Sequence, residues 1–179
     1  NLLRFIPPPF DQLNRLRQPL TRGEKTVFNF FNQHLSDDWE IYVQPHLNGL
    51  RPDFILLNPN VGIGVFEVKD WDLSAMHYHT DFNNSGEQEL FATKDGRTFS
   101  LNSKDPIAQA ARYRKSIYEL YCPRLGAQYG FAAITAGVIF PFANQEQLED
   151  LFSPLMGRHF DAKYRKYNPL IGREILQSG

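Results

Sequence analysis

Between Asp53 and Lys69 the chain reads as two apolar strands joined by a short turn, and no other stretch restricts the fold as tightly. Residues 53–57 and 63–69 are rich in Ile, Leu, Val and Phe, while Asn58-Pro59-Asn60-Val61-Gly62 between them is dense in turn formers. The pattern predicts a β-hairpin with a loop of about five residues. Centring that loop on Asn60 sets the register: Leu57 faces Ile63, Ile55 faces Val65, and Asp53 faces Glu67. Directly opposed residues have Cβ atoms ~5 Å apart and point to one side of the sheet. Lys69 lies two residues beyond Glu67 and shares its face. Two carboxyls and an amine therefore converge at one end of the hairpin.

As pure structure this arrangement is unfavourable. Like charges directly opposed destabilise a strand pair, and ionised groups beside apolar strands lose hydration. A divalent cation between the carboxylates reverses the sign, and hard oxygen donors suit Mg²⁺ or Mn²⁺. Such a metal activates a water and polarises a phosphoryl oxygen, while Lys69 orients the water or neutralises phosphate charge. The bland alternative has Asp53 in solvent at the strand end and Glu67 paired with Lys69, an interaction that contributes little at a surface.

The rest of the chain frames this hairpin. At 179 residues it is long enough for one domain with a proper core and short for two. Residues 1–20, with Pro7, Pro8, Pro9 and Pro19, read as an extended lead-in. Thr21 and Glu24 have capping-box spacing, and Val27, Phe28, Phe31 and Leu35 recur on one helical face, so a helix is expected from Thr21 to near Ser36. Residues 39–44 alternate as a strand, and Asn48-Gly49 signals a turn. Residues 71–87 read as a long polar loop, and Lys94-Asp95-Gly96 joins a second hairpin over 89–93 and 97–101. Asp105-Pro106 opens a helix running to about Tyr121. Residues 131–140 form an apolar run suited to a strand buried on both faces, and a short helix is expected over 144–152. The basic, aromatic tail over 158–173 yields no assignment. The expected fold class is α/β, with a mixed central sheet flanked by helices.

Several residues carry two readings. Glu24 completes the capping box, yet it also lies on the Val27/Phe28/Phe31 stripe and leans toward the sheet, where a carboxylate needs a partner such as a metal or its ligands. Gln109 and Tyr113 share a face of the second helix. They are either half-buried amphipathic residues, or Gln109 steadies the site and Tyr113 touches a phosphate. Arg112, Arg114 and Lys115, like Arg158, Lys163, Arg165 and Lys166 with Tyr164 and Tyr167, are either a solvated face or a track for a phosphate backbone. Asp70 and Asp72 either support the site or begin the polar loop. His77-Tyr78-His79 lacks the further ligands that zinc needs.

Pro52-Asp53 followed by Glu67-Val68-Lys69 resembles the motif of the PD-(D/E)xK nuclease superfamily. Gln109-Ala110-Ala111-Arg112-Tyr113 matches the Gln-x-x-x-Tyr motif of its exonuclease-like branches. Together with Arg22-Gly23-Glu24, Phe66-Glu67-Val68-Lys69 and Asp105-Pro106, these motifs over residues 20–142 resemble the NERD (nuclease-related) domain. The resemblance implies a restriction-endonuclease-like core over 21–142, followed by a C-terminal helix and basic tail over 143–179. It implies Mg²⁺- or Mn²⁺-dependent hydrolysis of DNA phosphodiester bonds, with RNA also admissible as substrate. In that picture Asp53, Glu67, the Val68 carbonyl and Glu24 hold the metal, and Lys69 and Gln109 join Asp53 and Glu67 in the catalytic set. Tyr113, Arg112 and Lys115 face the nucleic acid. Such domains occur alone or attached to helicase, kinase or zinc-binding modules. The end of the chain, at Gly172–Gly179, carries no stop signal and leads us to expect a further module. The alternatives are a non-cleaving nucleic-acid-binding module serving such a partner, and an interaction scaffold with a decayed site.

Composition excludes other classes. A net charge of −1 argues against a protein that coats nucleic acid nonspecifically, but not against a metal-dependent nuclease, whose site needs carboxylates. No apolar run approaches the ~20 residues of a membrane span, and residues 1–10 lack the apolar stretch of a secretory signal. The single cysteine, Cys122, suits a small buried hydrophobe in a reducing interior, so a cytoplasmic location is expected.

Overall fold

The structure is a computed structural model that describes residues 4–7, 16, 18–46, 49–121, 134–156 and 162–178. Asn48, Cys122, residues 131–133 and Arg158, named above, lie outside the described residues, as do the side chains of Lys163 and Tyr164. The elements run α1 (Arg22–His34), β1 (Glu40–Val43), β2 (Phe54–Asn58), β3 (Gly62–Val68), β4 (His77–Phe82), β5 (Gln88–Lys94), β6 (Arg97–Ser100), α2 (Pro106–Ser116), β7 (Ile134–Ile139), α3 (Gln145–Met156), α4 (Ala162–Tyr167), β8 (Leu170–Ile171) and α5 (Arg173–Ser178).

β2 and β3 form the expected hairpin in the expected register, with Leu57 opposite Ile63 and Ile55 opposite Val65. β1 adds antiparallel to β2, while β7 and then β8 add in parallel beyond β3, giving a mixed five-stranded sheet ordered β1-β2-β3-β7-β8. This is a mixed α/β fold with a restriction-endonuclease-like core. β3 is the central strand, buried from Gly64 to Val68 as a strand covered on both faces should be.

Side chains alternate between two cores. Phe54, Leu56, Phe66 and Val68 pack with Val27, Phe28 and Phe31 of α1. Val65, Ala136 and Val138 pack on the other side with Ala110, Tyr113 and Ile117 of the α2 segment. α1 and α2 thus cover opposite faces. The Phe66 ring lies over two glycines, because a Cβ on Gly64 or Gly137 would come within 2.8 or 2.9 Å of it.

The structure differs from the sequence expectations at two places. The stretch over 71–87 is not all loop: β4 pairs with β5, and β4-β5-β6 form a separate three-stranded sheet rather than joining the main one. His77-Tyr78-His79-Thr80 has no apolar alternation to announce a strand. Its place is set from afar, by pairing with β5 and by Trp71 stacked on Tyr78 at 4.9 Å. The second helix is α-helical only to Ser116 and continues as a π-helical turn over Ile117–Tyr121. In the tail, Arg165 is bound to Glu149 at 2.9 Å, and β8 contributes the last strand of the sheet.

The N-terminal residues close the other edge. Phe5 and Pro7 carbonyls accept the amides of Ile41 and Val43, both at 3.0 Å, so residues 4–7 run along the outer side of β1. The Arg4 guanidinium binds the carbonyl of Leu35, the C-cap of α1, and those of Ser36 and Trp39 beyond it at 2.7 and 2.9 Å.

Phe54 is fully buried, with the rings of Phe31 and Phe28 at 5.7 and 6.4 Å. Phe54→Ala is expected to lower stability by about 3–5 kcal/mol, read as a shifted urea midpoint at unchanged slope.

Candidate active site

The site lies where the β2–β3 ladder stops. Phe54 opposite Phe66 is its last pair, and Asp53 and Glu67 come next on the two strands. Beyond that point a side chain takes over from the backbone, and the Val68 amide donates to Asp53 Oδ2 at 2.7 Å. The carbonyl of a paired strand residue points the same way as its amide, so the Val68 carbonyl is turned toward the Asp53 side. The next amide, Lys69, turns the other way and donates to Ile139 at 2.9 Å.

Helices from both faces reach this end of the sheet. From one side, α1 brings Glu24 at its first turn. The capping box is formed: Thr21 N donates to Glu24 Oε2 at 2.6 Å, and Glu24 N donates to Thr21 Oγ1 at 3.2 Å. Glu24 therefore caps the helix, and its carboxyl lies close enough to Asp53 to raise that group. From the other side, α2 brings a relay. Gln109 Nε2 donates to the Tyr113 hydroxyl at 2.8 Å, and that hydroxyl donates to Glu67 Oε2 at 2.9 Å, with the Arg51 carbonyl at 3.3 Å. The phosphate contact expected of Tyr113 does not fit this geometry. Its side chain is 2% exposed and its hydroxyl is spent on Glu67. Arg112 and Lys115 stand exposed on the same helix. His77 and His79 stack on each other at 4.9 Å in β4, outside this cluster.

Electrostatics set the site apart from an ordinary strand end. Glu24 and Glu67 are each only 7% exposed. Burial pushes the Asp53 carboxyl up to about 9, helped by the charge of Glu67 and the bond with Glu24 and opposed by the Val68 amide. Burial also raises Glu67, against the pull of Lys69 and the Tyr113 hydroxyl. Burial and the Glu67 charge raise Tyr113 well above the usual phenol range, so it stays a donor. Among the described residues, Lys69 is the cation that pairs with Glu67, its Nζ 3.4 Å from Glu67 Oε1. Two buried acids and a half-buried one beside one amine make an arrangement that a bound dication relieves, and carboxylate oxygens are the donors Mg²⁺ and Mn²⁺ prefer. The donor set fits such a metal. Among the described residues no group of three or more His, Cys, Asp or Glu side chains already stands in metal-holding geometry. The carboxylate oxygens are instead turned onto Thr21, Val68 and Tyr113.

Asp70 is the residue the sequence left undecided. It accepts from Thr21 Oγ1 at 2.9 Å and from Gly23 N at 3.0 Å, tying the exit of β3 to the start of α1. Asp72 makes no such link; it accepts from the Ser74 amide within its own turn.

A carboxyl raised from 3.8 to about 9 on folding keeps a proton that the unfolded chain has already released. The contribution of this carboxyl to metal-free stability should therefore be full below about pH 4 and fall as pH rises toward 9. Urea unfolding in chelator at pH 5 and pH 8 checks this: Asp53→Asn should lose distinctly less stability between the two than the wild type, and equal losses would refute the assignment.

No curated protein and no solved structure matches the chain. The family described as Nuclease-related domain, NERD, matches residues 20–141, a span that contains α1, the β2–β3 hairpin, α2 and β7. The chain belongs to the NERD family of nuclease-related domains.

Proposed function

We propose that the chain is a metal-dependent nuclease that hydrolyses DNA phosphodiester bonds. The observation that carries this reading is the clustering of buried Glu24 and Glu67 with half-buried Asp53 at the end of the β2–β3 hairpin, beside the amine of Lys69. A Mg²⁺ or Mn²⁺ ion there would supply a water activated at neutral pH and charge stabilisation at a phosphoryl oxygen.

The chain's own residues divide the remaining work. Asp53, Glu67 and the Val68 carbonyl hold the metal, and Glu24 joins them from α1. Tyr113 fixes one oxygen of Glu67, which leaves the other toward Lys69, and Gln109 fixes Tyr113. Lys69 positions the attacking water and meets the charge that grows on the phosphate. Arg112 and Lys115, exposed on α2, bind flanking phosphates. The domain serves as one module of a larger DNA-processing protein.

The orientation of the carboxylate oxygens onto Thr21, Val68 and Tyr113 favours a second reading, a module that binds nucleic acid for a catalytic partner and does not cut.

Cleavage of single- and double-stranded DNA and of RNA, with Mg²⁺, Mn²⁺ or chelator, separates the two. Cutting by the wild type that requires metal is expected, with Glu67→Ala and Lys69→Ala each slower by roughly 10²–10³-fold. DNA binding without cutting, under either metal, establishes the second reading. Tyr113→Phe removes only a hydroxyl and should cost about 10- to 100-fold in cleavage while the domain stays folded by circular dichroism.

A further inference from the structure

We propose that Asp70 is a positioning residue: by clamping the first turn of α1 to the exit of β3, it holds Glu24 against Asp53. The inference rests on the reading of the carboxylate cluster as a metal site.

Glu24 reaches Asp53 from an element on the other side of the sheet from α2, and its distance from the hairpin depends on where the first turn of α1 sits. Three contacts fix that turn. Asp70 Oδ2 accepts from the Gly23 amide, one of the helix-start amides that have no partner within the helix. Asp70 Oδ1 accepts from the Thr21 hydroxyl, whose single proton is thereby committed. The same hydroxyl oxygen is then left to accept from the Glu24 amide. The orientation of Thr21, and through it the capping box, is set by Asp70.

The third contact is steric. A Cβ on Gly23 would lie 2.8 Å from Asp70 Cγ and 2.9 Å from Pro141 Cγ, so the helix start sits closer to the β3 exit than any other residue allows. Gly23 is needed here for space, since its backbone is ordinary helix. Glycine and aspartate thus work as a pair, one permitting the approach and the other bonding it. Asp70 follows Lys69 directly in sequence, so the exit of β3 that carries Lys69 also supplies the clamp.

A purely structural clamp would affect only folding. A positioning clamp affects the affinity of the site for metal, because partners that orient ligands tune affinity by 10–100-fold. The test is Mn²⁺ titration of the full chain by water-proton relaxation, with thermal unfolding in parallel, for wild type, Asp70→Ala, Asp70→Asn, Gly23→Ala and Asp72→Ala. Asp70→Ala and Gly23→Ala should bind Mn²⁺ about 10-fold or more weakly. Asp70→Asn keeps one oxygen for the Gly23 amide and should fall between them and the wild type. Asp72→Ala should match the wild type. In cleavage, kcat at a fixed Mn²⁺ concentration should fall with little change in KM for DNA. Wild-type Mn²⁺ affinity in folded Asp70→Ala and Asp70→Asn overturns the positioning role and leaves the metal site standing. A wild type that takes up no Mn²⁺ overturns the metal site, and the positioning role falls with it.

Discussion

Everything in this domain is arranged around the cost of burying acids at the end of a central strand. Glu67 is on β3, which has neighbours on both edges and a helix over each face, so its carboxyl has little water to turn to. A buried carboxylate without partners is among the most unfavourable things a core can contain. The surrounding elements read as answers to it: the Tyr113 hydroxyl from α2 and the Lys69 amine two residues on, with the Val68 amide bonded to Asp53 beside them. None of these is complete, and the unmet balance is what a dication would supply.

The site is a meeting of two helices that do not otherwise share a core. α1 belongs to the cluster around Phe54 and Phe66, and α2 to the cluster around Val65 and Val138. Each sends polar groups past the end of the sheet, Glu24 from a first turn and Tyr113 from mid-helix. On the α1 side the capping box does double duty. The hydrogen bond that finishes the helix also fixes one oxygen of Glu24 and aims the carboxyl at Asp53.

Local chemistry made part of this legible in the sequence. The turn Asn58-Pro59-Asn60-Val61-Gly62 and the alternation on either side were enough to set a register that places Asp53 opposite Glu67. Thr21 and Glu24 announced the helix start, and Asp105-Pro106 the other, where the Asp105 side chain accepts from Ile107 at 2.9 Å. What escaped depends on distant partners. β4 has a polar sequence and becomes a strand through β5 and Trp71. Tyr113 at helical spacing from Gln109 gave no sign of whether it faced phosphate or carboxylate; the burial of Tyr113 against Glu67 decides that. Asp70 contacts Thr21 and Gly23 across nearly fifty residues of chain, a pairing that no local pattern records. β8 is two residues long, too short to carry any periodicity.

The edges of the sheet bear on how the domain can be handled. Residues 4–7 lie along β1 and stand outside the span of the family match, which begins at residue 20. They belong to the fold all the same, since they take up the amides of Ile41 and Val43 and, through Arg4, bind the carbonyl at the C-cap of α1. A polypeptide cut back to the family boundary keeps every catalytic candidate and loses its selvage. The bare rail of β1 then offers its hydrogen bonds to the nearest extended strand in solution, and in a concentrated sample that strand belongs to another molecule of the same kind.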